Sequence, residues 1–166
     1  MEQLFKGVKR ILEYMLVTIF VILVVDVVWQ VIARYAKISS GFTEELSRFL
    51  LIWLAVIATA YSRSYKGQMA IDFIYEKCND KVKHILSIFI ELCIVSFALV
   101  IMVIGGINLV YITSKLEQYS PSLHAPMGFV YSIVPVCGIL ILFFSFYHIM
   151  NYIRDRKEAI SATKLV

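Results

Sequence analysis

Two carboxylates stand where a carboxylate is costly. Asp26 and Glu91 each fall inside a run of Leu, Ile, Val and Phe, and an ionisable group in such a run marks either an ion or proton path or a buried polar contact. Asp26, Gln30 and Arg34 recur at i, i+4 and i+8, a polar stripe along one helix face. For Asp26 two roles stay open, a proton or cation carrier and a polar anchor to a neighbouring helix or subunit. A stripe with both signs of charge has the character of a packing seam. Glu91 carries the same alternatives, with Arg63 or a lysine of the preceding loop as its partner. A third cluster, Thr43-Glu44-Glu45-Leu46-Ser47-Arg48, opens another apolar run that includes Trp53. Thr43 suits a helix cap, the glutamates suit the positive helix N-terminus, and Glu44 and Arg48 form an i, i+4 pair. Neither glutamate has an acid–base partner close in sequence.

Other chemistries fail on residue type. His84 and His148 fall at inner helix ends and His124 in an outer loop, so no facing pair is available for haem. Cys78, Cys93 and Cys137 are scattered without a CxxC, which leaves no disulfide framework, zinc site or paired redox thiols. No Gly-rich phosphate loop and no Ser/His/Asp constellation is present.

The elements that must hold these residues follow from composition. The chain has 166 residues, 60% hydrophobic and 17% charged, with mean hydropathy +0.80. A soluble domain is about 45–50% apolar and about 25% charged, and so short a chain cannot bury this excess in one aqueous core. Soluble enzyme, nucleic-acid binder, disordered chain and disulfide scaffold are therefore poor first readings, and lipid is the expected solvent. The expected fold class is an all-α membrane protein, one domain over 1–166, with four transmembrane helices at about 11–33, 43–64, 85–113 and 127–152. Residues 16–32 hold thirteen Leu, Ile, Val or Phe, enough at about −0.3 to −0.6 kcal/mol each to outweigh one Asp at about +2.5 to +3.5. The second span is marginal. Its uncharged part, 49–61, is short, so it relies on neighbours and on Arg48 and Arg63 reaching outward. Pro135 should kink the fourth span, and Gly105-Gly106 permits close helix approach in the third.

Charge placement sets the expected orientation. Twelve of the sixteen Lys and Arg residues fall in the N-terminal segment, the second loop and the C-terminal tail, and four on the other side. Both termini are then cytoplasmic. Segments 1–14 and 70–84 carry apolar stripes at helical spacing. Each is either an amphipathic helix lying on the membrane surface or a plain extension of the next span. Asp26 and Glu91 each lie about 10 Å inside, but from opposite surfaces, so a shared site is not expected. Trp29, Tyr35, Tyr61, Tyr65, Tyr111, Tyr119, Tyr147 and Tyr152 fall near span ends as an aromatic belt.

Together these features resemble a known family, the small membrane (Q, or DctQ-like) subunit of tripartite ATP-independent periplasmic (TRAP) transporters. The resemblance covers nearly the whole chain. It rests on Trp29 with Arg34, on Thr43-Glu44-Glu45 followed by Arg48 and Trp53, and on Gly67-Gln68-Met69-Ala70-Ile71-Asp72. Gln68 stands where the family tends to carry His. The outer loop from Ser120-Pro121 to Ala125-Pro126, with Tyr131 and Pro135 beyond, adds to it.

The resemblance implies a subunit that is not an enzyme and holds no cofactor, with sodium coupling in a larger elevator-type permease partner. A periplasmic substrate-binding protein would deliver an organic acid, with sialic acid expected and C4-dicarboxylates or other sugar acids as alternatives. The implied location is the bacterial inner membrane, with phospholipid and no nucleic acid as a further partner. Asp26, Trp29, Arg34, Glu44, Glu45, Arg48, Trp53 and Glu91 then become candidates for helix–helix, partner or lipid-headgroup contacts. A self-sufficient proton-coupled exporter working as a homo-oligomer, and a non-transporting assembly factor, are the competing functions.

Overall fold

The computed structural model describes residues 2–38, 40–65 and 80–163. Helix α1 (Glu2–Tyr35) and helix α2 (Gly41–Arg63) are joined by a tight turn, with Lys37 at φ 55°. The third span is composite, built from α3 (Asp80–Phe97), a π-helical segment (Ala98–Gly105) and α4 (Gly106–Lys115). The loop at 116–126 leads to the short α5 (Met127–Tyr131) and the long α6 (Ile133–Thr163). Among the described residues four helical stretches, Gln3–Tyr35, Gly41–Arg63, Ile88–Lys115 and Met127–Met150, are long and apolar enough to cross a membrane. Apart from an isolated β-bridge between Tyr119 and Pro126, the described residues are helix, turn or irregular. The all-helical, four-span class is what the hydropathy pattern requires.

Packing runs in a row. α1 lies on α2, α2 on α6, and α6 on the π segment and α3. The shared core is thin: Leu12 and Ile19 from α1, Ile57 and Ala60 from α2, Ala98 and Met102 from the π segment, and Ile133, Cys137, Ile141 and Phe144 from α6. Only 6–33% of the residues in each span's most apolar stretch are buried within the chain. The remaining apolar side chains have lipid or another protein as their surroundings.

Three details refine or correct the sequence expectation. First, of the two alternatives for the N-terminal stripe the structure shows the extension of the first span: α1 continues unbroken for 34 residues, about 51 Å, well beyond a roughly 30 Å hydrocarbon slab. Its extension is packed. Phe5 stacks on Tyr147 at 4.3 Å and meets Phe144 edge-on at 5.3 Å, and the Lys9 ammonium sits 3.7 Å from the centre of the Tyr65 ring. The companion stripe at 70–84 lies outside the described side chains, as does Gly67-Gln68-Met69-Ala70-Ile71-Asp72. Second, α2 starts at Gly41 with Ser40 in the cap position, so Thr43 is already inside the first turn. Its hydroxyl donates back to the Ser40 carbonyl at 2.8 Å.

Third, the fourth span is broken where a kink was expected. A turn at Ser132 separates α5 from α6, because the Pro135 ring clashes with the carbonyl four residues earlier and lacks an N–H to bond it. Opposite this break the third span is π-helical, with hydrogen bonding shifted to i→i+5. Its eight apolar residues carry no local signal for that geometry. The two irregular stretches meet through small residues. A Cβ on Gly106 would lie 2.9 Å from Pro135 Cδ, and one on Gly138 would lie 2.8 Å from Met102 Cβ. Close approach of this kind is how helices gain dispersion contact in lipid, where no hydrophobic force drives them together.

This contact makes one substitution informative at two positions. Gly138→Ala should destabilise the solubilised chain by about 1–3 kcal/mol through overpacking. Gly7, with nothing within 4 Å of an added Cβ, should gain up to about 1 kcal/mol from helix propensity on the same change. Unfolding in a detergent series reads both, and equal effects would contradict the packing described.

Candidate functional site

The polar residues of the spans gather at three seams. At the end of the α1–α2 interface nearest their connection, Asp26 is buried beneath Gln30. The Gln30 amide donates to an Asp26 carboxylate oxygen at 2.8 Å and to the Thr43 carbonyl at 3.0 Å. One side chain thus satisfies the acid and ties α1 to the first turn of α2. Ala33, 1% exposed, lets the helices approach one turn further on. The stripe does not continue as a seam, since Arg34 is exposed.

The second seam fastens the loop at 116–126. Glu45 accepts hydrogen bonds from the Ser120 hydroxyl and from the backbone amides of Ser122 and Leu123, both at 3.1 Å. Ser120 to His124 is a single helical turn, closed by the His124 amide on the Ser120 carbonyl at 2.9 Å. Pro121 sits at its first position, and the two amides that follow have no helical acceptor. Glu45 supplies that acceptor from more than seventy residues away. Its neighbour Glu44 does something different, pairing with Arg48 at 2.8 Å in an exposed i, i+4 bridge. Two turns deeper, Trp53 donates its indole N–H to the Val130 carbonyl at 3.0 Å and packs on Phe129 at 5.6 Å. That carbonyl belongs to the end of α5, where a helix leaves acceptors open.

The third seam is ionic and lies at the other end of α2. The Arg63 guanidinium donates to the Glu91 carboxylate, and its Nε donates to the Ser145 hydroxyl at 3.1 Å. The side chains of the pair are 12% and 20% exposed. The Arg63 carbonyl is 3.1 Å from His148 Nε2. One cation therefore ties α2, α3 and α6 together. The expectation that Arg63 reaches outward is wrong: Arg48 does so, while Arg63 turns inward because Glu91 offers an acceptor that lipid cannot. Asp26 and Glu91 are far apart, since their seams are separated by twenty residues of α2, about 30 Å.

Of the candidate residues, Asp26, Glu45, Trp53 and Glu91 are engaged in contacts between helices or with the loop at 116–126. Trp29 and Arg34 face outward, and Glu44 and Arg48 pair with each other at the surface. Sequence reading missed Ser120 and Ser145 as partners. A Ser-Pro pair is a helix-start signal and announces free amides at 120–124, but says nothing about which acid will meet them.

Fold and seams define a multi-pass helical membrane protein in which Asp26, Glu45, Trp53, Arg63 and Glu91 bind its own elements to one another. The chain belongs to the DctQ family: the family model described as "Tripartite ATP-independent periplasmic transporters, DctQ component" matches residues 22–155. It is thus a component of the transporters that this family serves. It is also 24% identical over 129 residues, 74% of the chain, to the "Isethionate TRAP transporter permease protein DctMQ" of Oleidesulfovibrio alaskensis. The match spans 19% of that protein's length.

Two experiments separate the seams. Arg63→Leu alone leaves a buried carboxylate unpaired and should cost about 3–5 kcal/mol, whereas Arg63→Leu with Glu91→Leu should recover most of it. A double-mutant cycle with no coupling would contradict the pair. Glu45→Ala should speed amide hydrogen exchange at Ser122 and Leu123, while Glu44→Ala leaves it unchanged. Equal exchange in both variants would show that Glu45 does not hold the loop.

Proposed function

We propose that this chain is the small, static membrane subunit of a TRAP transporter, anchoring a larger elevator-type permease that carries the substrate and sodium sites. The observation that carries this reading is the use of the span carboxylates. Asp26 is tied to Gln30 and Glu91 to Arg63, each at a helix seam, while α1 and the third span present broad apolar faces. A carrier carboxylate needs access to ions from both sides, and a scaffold needs fixed helices and a wide lateral surface.

Family membership supports the presence of a permease and a periplasmic substrate-binding protein as partners. The relative's name, DctMQ, and the 19% share of it that is matched fit a Q-type part joined to a much larger permease part. The Lys and Arg distribution supports cytoplasmic termini in the inner membrane. The transported solute is an organic acid. Sialic acid is our assignment, and the isethionate in the relative's name extends the class to other small organic anions. Trp29, Arg34, Glu44 and Arg48 are the outward-facing residues assigned to the permease or to lipid headgroups.

Reconstitution tests this. The chain alone in proteoliposomes should accumulate no organic acid, whereas the chain with the large permease and the binding protein should accumulate it under a sodium gradient. Accumulation by the chain alone, abolished by Asp26→Asn, would establish a self-sufficient exporter fold instead. Arg48→Ala should weaken co-purification with the permease and leave substrate affinity unchanged; altered affinity in an intact complex would contradict the scaffold role.

A further inference from the structure

The third span is the least enclosed of the four. Only 6% of the residues in its most apolar stretch are buried within the chain, against 33% in the fourth, and it stands at one end of the helical row. Along its last three turns Ile104, Ile107, Asn108, Tyr111 and Ile112 recur at i, i+3, i+4, i+7 and i+8, and all five are exposed, so they share one outward face. Four of them suit lipid. Asn108 does not.

Asn108 lies seven residues before Lys115, the end of α4, about 10 Å inside the span. Its carboxamide brings two N–H donors and an acceptor. Among the described residues it forms no hydrogen bond. A hydroxyl at such a depth can fall back on its own helix, as Thr59 and Thr113 do by donating to the carbonyls four residues back, at 2.9 and 2.7 Å. A helix whose carbonyls are already taken cannot satisfy a whole carboxamide. Acyl chains offer it nothing, and a side chain this short does not reach the headgroups. Beside it stands Gly105, also exposed. Gly106, Gly128 and Gly138 are each filled by a neighbour, Pro135, Ser114 and Met102, whereas a Cβ on Gly105 would meet only the Val100 carbonyl of its own span, at 3.6 Å.

In hydrocarbon, helices associate through close approach at small residues and through hydrogen bonds between them. This face offers both, one turn apart. We propose that it is the docking face for a transmembrane helix of the larger permease, one that lays its backbone along Gly105 and presents a hydroxyl or carboxamide to Asn108. The assignment rests on the scaffold reading, which requires a lateral partner, and narrows it: the partner lies on the third span, and the apolar face of α1 is left to lipid.

Photo-crosslinking in native membranes that hold the full chain and its permease tests this. Benzoylphenylalanine in place of Ile104 or Ile107 should couple to the permease, and in place of Val25 or Val28 on α1, of similar exposure, should not. Asn108→Leu should raise the dissociation constant of the purified complex by about three- to tenfold. Asn108→Gln, which keeps the carboxamide, should retain most of the affinity, and Gly105→Leu should weaken binding by filling the notch. None of these variants should lower the thermal midpoint of the isolated chain, because both positions face outward. No permease crosslink from Ile104 or Ile107, a crosslink from Ile107 to a second copy of this chain, or full affinity in Asn108→Leu would each overturn the assignment and leave the scaffold reading standing. A chain that neither crosslinks to nor co-purifies with a permease would overturn both.

Discussion

Hydrocarbon offers no hydrogen bonds. Every polar group that enters it must find a partner inside the protein, and an unmet one costs several kcal/mol. That constraint organises this molecule. Gln30 exists in the fold as the partner that makes a buried Asp26 tolerable. Trp53 and the Val130 carbonyl solve each other's problem, an indole N–H meeting the acceptor that a broken helix leaves open. Arg63 and Glu91 neutralise each other where neither could stand alone. Because each solution joins two or three helices, the polar residues double as the fasteners of a chain whose shared apolar core is thin.

The same constraint explains what was legible in the residue pattern. The four spans follow from hydropathy, since length and apolarity leave no other reading of those segments. The Glu44–Arg48 bridge is local, fixed by helical spacing. Arg63 as a partner for Glu91 was one of two open alternatives, and geometry selected it. The break before Pro135 followed from a missing N–H, though its position at Ser132 did not. The partners of Glu45 were beyond reach, because the amides of Ser122 and Leu123 are brought to it by tertiary packing. The π segment at Ala98–Gly105 was equally hidden, since eight apolar residues satisfy an α- and a π-helix alike.

On the proposed scaffold reading, the irregular stretches bear on function through rigidity. The π segment and the α5–α6 break lie against each other, interlocked at Gly106–Pro135 and Gly138–Met102. Contacts this close resist sliding. The loop at 116–126 is held to α2 by Glu45, and the opposite end of α1 is held to α6 by Phe5 and to Tyr65, just past α2, by Lys9. Both ends of the helical row are thereby fixed, which suits a part against which a partner moves.

The central claim is that this chain keeps one shape while solute crosses the membrane. Pulsed electron resonance between spin labels at Leu51→Cys on α2 and Phe146→Cys on α6, both outward-facing positions, measures that directly in the assembled transporter. One unchanged distance distribution, with and without sodium and substrate, is the expected result. A second population displaced by about 5 Å, one turn of helix, would show that the chain itself moves and would contradict the account.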